Sequence, residues 1–282
     1  MSNQRLAKLP SGPLPDTSSE LPDLIREIRA RTPARIFAGR TGPAYRTQTQ
    51  LELRQDHAAA SDAVHAELDL DRDFESEFIR NSRLLQVQSC ATSKNEFLLR
   101  PDLGRRLSAD GRECLLQNCP AGADLQVFIG DGLSALAVHT QVPSLLPLLA
   151  QGAEQKQRNF GRPFLVRYCR VGILNEVGDL LKPRVAVLLI GERPGLATAE
   201  SLSAYMAYQP RSGHTDAERN LISNIHSRGT PVDLAASRIL ALAERMMHRK
   251  ASGVAVKEDF RQTPALFESS PPTIAPPEVP ER

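Results

Sequence analysis

Between Val185 and Ser203 the chain reads VAVLLIGERPGLATAESLS, and no other stretch restricts the fold as much. The apolar run Val185–Ile190 is far too short to cross a membrane, and it is rich in β-branched residues. Such a run reads as a strand buried on both faces, as in a parallel sheet covered by helices. It stops at Gly191-Glu192-Arg193-Pro194-Gly195, a turn that places two opposite charges at the strand's carboxyl end. Open parallel sheets bind ligands in the crevice beyond those ends. Glu192 and Arg193 are therefore the first candidates for ligand contact. The plainer alternative is a solvated loop with a surface ion pair.

The same texture starts at Asp124. Leu125–Ile129 is an expected strand that runs into Gly130-Asp131-Gly132-Leu133-Ser134, with helical material over 144–157. Phe164–Cys169 is a second strand, ending at Arg170-Val171-Gly172 and followed by an amphipathic segment to Leu181. This alternation predicts an α/β fold: a Rossmann-like, mostly parallel sheet flanked by helices over residues 121–255. Three of the loops, together with Ser223-Asn224-Ile225-His226, then fall on one rim. That rim is the expected ligand face, though fold alone does not name the ligand.

Upstream, residues 20–120 read as a smaller helical and extended region. A helix begins at Leu21, an arm bears Arg40 and Arg46, and a second helix covers 47–68. His57, beside Asp56 at mid-helix, reads as structural. RLLQVQS and EFLLRP read as short strands, and Leu103–Cys119 as a helix weakened at Gly111. A final helix has Thr230 as N-cap, Pro231 at its first position, Asp233 completing a capping box and Gly253 at its close. Residues 1–19 and the Pro-rich 256–282 are expected to be disordered tails.

Composition removes several functions. The 35 basic and 33 acidic residues nearly cancel, to +2, so no nucleic-acid partner is expected. No apolar run approaches the ~20 residues of a membrane span, and the start lacks a secretory h-region, so the expected location is the cytoplasm. Cys90, Cys114, Cys119 and Cys169 form no C-x-x-C pair and the histidines no H-E-x-x-H, so no protein metal site is expected. Neither G-x-G-x-x-G nor G-x-x-x-x-G-K-[ST] is present, which disfavours dinucleotide and P-loop chemistry. Ser134, His226 and Asp131 can be drawn as a hydrolase triad, but no G-x-S-x-G elbow holds the serine. The rim has polar groups and no nucleophile paired with a base. By its own residues it is a binding half-site.

Several long blocks carry a family resemblance. ARIFAGRTGPAYRTQTQLELRQDHAAASDAV, RPDLGRRL, GDGLSALAV, PFLVRYCRVGILNEVGDLL, VAVLLIGERPGLATAESLSAYMAY and ISNIHSRGTP resemble the small subunit of ethanolamine ammonia-lyase, over residues 33–253. The resemblance implies an adenosylcobalamin enzyme whose large subunit, a TIM barrel, holds ethanolamine and the catalytic residues. The small subunit caps the cobalamin from the other side. A 5′-deoxyadenosyl radical takes a hydrogen from the substrate, the amino group migrates, and acetaldehyde and ammonia are released. The implied assembly is a hexamer of heterodimers, and the non-enzymatic alternative is a pure assembly scaffold.

The resemblance also assigns cofactor contacts to Val171, after the Y-x-R segment, to Glu192 of GERPG, and to Leu221 just before ISNIH. Glu192 is expected to be an unpaired carboxylate that accepts hydrogen bonds from corrin amides. Well-known members have cysteine where this chain has Leu221, so only apolar or backbone contact carries over there. D-x-H-x-x-G, the mark of cobalamin proteins that replace the lower base with histidine, is absent. The implied cofactor keeps its own base. Members housed in bacterial microcompartments often begin with an amphipathic targeting helix, which MSNQRLAKLPSGPLP does not resemble. Free cytoplasm is the expectation, and a microcompartment the alternative.

Overall fold

The computed structural model describes residues 20–30, 36–195 and 198–258. Both expected disordered tails lie largely outside these residues. Two compact units divide between Gln50 and Leu51. The first holds helix α1 (Glu20–Ala30) and a minimal hairpin of β1 (Arg40–Thr41) and β2 (Ala44–Tyr45). The expected extended arm is thus folded back on itself, with Arg40 paired to Tyr45 and its guanidinium 4.9 Å from that ring. Helix α2 (Thr47–His65) follows and buries none of its residues.

The second unit continues through α3 (Leu70–Asp73), α4 (Ser76–Ser82), β3 (Leu85–Gln88), α5 (Lys94–Leu99) and α6 (Ala109–Asn118). It then alternates as β4 (Leu125–Gly130), α7 (Ala135–Gln155), β5 (Phe164–Arg167), α8 (Ile173–Leu181) and β6 (Val185–Gly191). Two further strands, β7 (Leu202–Tyr208) and β8 (Asn220–Ile225), precede α9 (Val232–Arg249). One six-stranded sheet results, in the order β3-β5-β4-β6-β7-β8. β3, β5, β4 and β6 are parallel. β7 runs against β6 and β8 against β7, so β8 points the same way as β6.

Strands β4 and β6 are buried at every residue, as expected for strands covered on both faces. One face packs Val127, Ile129, Val187 and Leu189 against α7 and α9. The other packs Phe128, Leu188 and Val166 beside Leu115 of α6 and Leu174 and Val177 of α8. The expected α/β architecture, with a mostly parallel sheet between helices, is the one found. Among the described residues no helix is long and apolar enough to cross a membrane.

Local expectations fail where a cap or a tertiary contact overrides the pattern. EFLLRP is helical, not a strand, because the Ser93 hydroxyl accepts the Glu96 N–H and starts α5. The expected helix from Leu103 is split: a 3₁₀ turn ends at Arg105, and α6 begins after Ser108 caps Gly111 N–H at 3.1 Å. Helix α7 starts well before residue 144, with Ser134 as its N-cap, and it runs through Pro143 and Pro147. Each proline costs one intrahelical bond, but ten buried residues on α7 hold the helix in place. Pro231, not Thr230, precedes α9 without a side-chain cap, and Lys250 in the left-handed region closes it, not Gly253.

Two glycines let the central elements approach. Gly132 has φ +58° and Leu133 N–H donates to Gly191 O at 3.1 Å. A Cβ on Gly191 would lie 2.0 Å from Ser134 O, which belongs to the backbone and cannot swing away. Gly191→Ala is expected to destabilise the protein by about 2 kcal/mol or more, read as a lower urea midpoint with unchanged slope. Burial also pushes the Cys119 thiol up to about 11 and the Cys169 thiol well above its ordinary value. The thiolate is the reactive form, so at about pH 8 a maleimide is expected to modify the half-buried Cys90 and Cys114 first. Mass spectrometry of the native protein should find Cys119 and Cys169 unmodified until denaturant is added.

Candidate functional site

Four chain segments reach the carboxyl-end rim, as the alternation implies. Gly130-Asp131-Gly132 follows β4, Arg170-Val171-Gly172 follows β5, and Gly191-Glu192-Arg193 ends β6. The fourth arrives by a different route. β7 and β8 form two antiparallel steps, and the register Gly191↔Leu202↔Ile225 returns the chain to the same edge at His226. A cleft of about 320 Å³ opens here. Val171, Glu192 and Leu221, identified separately in the sequence, all line it.

Asp131 fixes the β5 side of this cleft. Its wholly buried carboxylate accepts the N–H groups of Tyr168 and Cys169 at 2.8 Å each. Burial holds this carboxyl above the ordinary aspartate range, while the nearby Lys94 charge opposes that shift. Lys94 is itself buried, with Nζ 3.4 Å from Gly132 O and 5.2 Å from the centre of the Phe97 ring. Burial pushes its pKa down. Tyr168 adopts φ +56°, a costly conformation that the two bonds to Asp131 secure. The turn then delivers Arg170 and Val171 to the cleft.

Glu192 fixes the other side, and it is not the unpaired carboxylate expected from the sequence. Ser201 Oγ donates to Oε2 at 2.8 Å, and Ser203 Oγ donates to Oε1. Asn224 N–H donates to Oε1 at 3.1 Å. The cause is plain: β7, to which the sequence assigns no element, brings Ser203 and the preceding Ser201 beneath the turn. A carboxylate has about four acceptor positions, so three donors leave it room for one more. The plainer alternative, a surface ion pair between Glu192 and Arg193, is not found among the described residues, and Arg193 stands exposed.

The drawn hydrolase triad is not assembled. Ser134 Oγ accepts the Ala137 N–H as a helix cap and donates to Ala199 O. His226 Nδ1 accepts the Arg228 N–H at 3.3 Å, so Nε2 carries the proton, which it donates to Asn224 Oδ1 at 2.7 Å. Asp131 serves the Tyr168 and Cys169 amides. Each member has a structural partner, and none bonds to another. Among the described residues no group of three or more His, Cys, Asp and Glu could hold a metal ion.

The sequence reading missed two cleft residues on β7. Ser203 and Tyr205 are two positions apart and share one strand face, and both line the cleft. Tyr205 pairs with Leu221 across the β7–β8 ladder, and burial and Glu192 raise its phenol pKa. Their signal was the short run LSAYMAY, to which the sequence assigns no element. A larger cavity of about 640 Å³ lies at the opposite, amino-end side of the sheet, around Ala123, Phe160 and Arg162. It holds none of the residues singled out by the sequence.

The lining is of two kinds. Leu133, Val171, Ile190 and Leu221 make apolar walls; Glu192, Ser203, Tyr205 and Arg170 supply polar atoms. Such a surface can hold a flat apolar body with a polar margin, but it offers no activated nucleophile. Replacing Asp131 with Ala removes the acceptor of two buried N–H groups. The expected loss is about 3 kcal/mol of unfolding free energy, measured by urea titration, with Asn restoring part of it.

Residues 22–257 match the family model described as ethanolamine ammonia-lyase light chain (EutC). The chain is also 42% identical, over 231 residues, to a protein of Clostridium perfringens named ethanolamine ammonia-lyase small subunit. That alignment covers 82% of this chain and 76% of the relative. The chain belongs to the ethanolamine ammonia-lyase light chain family.

Proposed function

We propose that this chain is the small subunit of an adenosylcobalamin-dependent ethanolamine ammonia-lyase, and that its carboxyl-end cleft caps the cofactor carried by a large subunit. The observation that carries this reading is the convergence of Val171, Glu192 and Leu221, from three separate loops and strands, on one cleft.

The donor set suits the cofactor. A corrin presents a hydrocarbon macrocycle ringed by primary amides. Val171, Leu133 and Leu221 offer apolar contact, and the open acceptor position of Glu192 suits an amide N–H. At about 320 Å³ the cleft takes an edge of such a molecule and not the whole. The remainder then rests on the partner, which is the sense of a cap. When bound, the cofactor supplies the radical chemistry that turns ethanolamine into acetaldehyde and ammonia. This chain binds, orients and keeps water out, and it contributes no catalytic residue. Leu221, where well-known relatives have cysteine, serves by apolar contact. The absence of D-x-H-x-x-G supports a cofactor that keeps its own lower base.

The partner in this reading is the lyase large subunit, in a hexamer of heterodimers. Residues 20–120, with the Arg40–Arg46 hairpin, make the partner contact, and residues 121–255 the cap. The complex works in the cytoplasm, with a microcompartment as the alternative address.

Ammonia release from ethanolamine with adenosylcobalamin is the test, using this chain alone, the large subunit alone and the two together. Activity is expected only in the mixture; a large subunit that gains nothing from this chain would overturn the reading. In the complex, Glu192→Ala is expected to weaken cobalamin binding about tenfold. Unchanged affinity with intact assembly would favour a scaffold.

A further inference from the structure

Three arginines gather at the cleft, Arg170 after β5, Arg193 after β6 and Arg105 over the β5 turn, and none of them is ion-paired to an acid among the described residues. Arg170 and Arg193 line the cleft directly. Arg105 packs over the turn beside them: a Cβ on Gly172 would lie 2.9 Å from Arg105 Cγ and 3.1 Å from its Cδ. Other arginines on this chain find carboxylates, as Arg158 does with Glu244 and Arg238 with Glu258. Among the described residues, Arg105, Arg170 and Arg193 form no such pair. Glu192, the nearest acid in the cleft, is already engaged by Ser201, Ser203 and Asn224.

Arg170 is the centre of the group. Its guanidinium lies 4.1 Å from the centroid of the Phe97 ring, and one Nη reaches Phe97 O at 3.4 Å. Its Nε is buried and has no hydrogen-bond partner. Burial lowers its pKa, and the charges of Arg193 and Arg105 lower it further; Asp131, whose carboxylate is taken up by the Tyr168 and Cys169 amides, opposes this only in part. Like charges gathered at one place cost free energy in the free protein. An anion seated between them would remove that cost and fill the open Nε donor. Arginine is the side chain suited to such a role, since its planar fork matches the oxygens of a phosphate. The amino end of α8, just past Gly172, adds positive potential at the same spot.

We propose that Arg105, Arg170 and Arg193 form an anion subsite that takes the phosphodiester linking the corrin to the lower base of the cofactor. This inference rests on the capping reading and assigns a position within it. Apolar walls and Glu192 face the corrin margin, and the arginine side of the cleft faces the nucleotide loop.

The test separates the phosphodiester from the corrin. The complex of large and small subunits is titrated with cyanocobalamin and with cyanocobinamide, which keeps the corrin and its amides but lacks the phosphodiester. Arg105 and Arg193 are exposed, so the double variant Arg105→Gln/Arg193→Gln spares the packed Arg170. Its dissociation constant for cyanocobalamin is expected to rise about tenfold, with that for cyanocobinamide unchanged. The corresponding double lysine variant should recover part of the loss. Equal weakening of both probes, or of neither, would overturn the subsite. If Glu192→Ala weakens both probes while the arginine variant weakens neither, the cap stands and the subsite falls. If neither variant alters either probe, both fall together.

Discussion

At the heart of the rim, a wholly buried carboxylate accepts two backbone N–H groups from the neighbouring strand's exit. Asp131 Oδ1 and Oδ2 each hold one amide of the Tyr168–Cys169 turn. A buried carboxylate is costly unless it is well bonded, and here Lys94 and the turn amides offset part of that cost. The arrangement fixes the direction in which the chain leaves β5, and so where Arg170 and Val171 stand. Glu192 does the same between β6, β7 and β8, through Ser201, Ser203 and Asn224. Each acid is a structural tie first. Glu192 alone keeps a face toward the cleft.

This division of labour leaves the cleft without an activated nucleophile or base among the residues that line it. Groups that would serve as nucleophile or base are consumed by the fold: Ser134 caps α7, and His226 is locked between Asn224 and Arg228. What remains at the cleft is a set of apolar walls, a few hydroxyls, one partly free carboxylate and unpaired guanidinium groups. Such a surface suits the margin of a large ligand, as the proposed capping role requires.

Much of the fold was legible because β6 is a continuous apolar run and β4 is one interrupted only at Gln126, a pattern that suits burial on both faces. The rim loops were legible for the same reason, since Gly and Pro end those runs abruptly. The misses have local causes. The sequence assigns β7 no element because LSAYMAY is short and is buried on both faces with small residues among the large, and with it went Ser203, Tyr205 and the true state of the Glu192 carboxylate. Helix α7 was placed too late because Pro143 argues against a helix that buried packing nonetheless sustains. Val171, Glu192 and Leu221 were reached through family resemblance, and the β5 and β6 turns had independently pointed to the first two.

The most direct measurement is hydrogen–deuterium exchange on the complex of both subunits, with and without bound cobalamin. The account predicts that protection in this chain appears in peptides covering 130–134, 168–172, 191–195, 202–205 and 221–226, the segments around the cleft. Protection centred instead on 118–123 and 159–163, around the cavity at the amino ends of the strands, would contradict it.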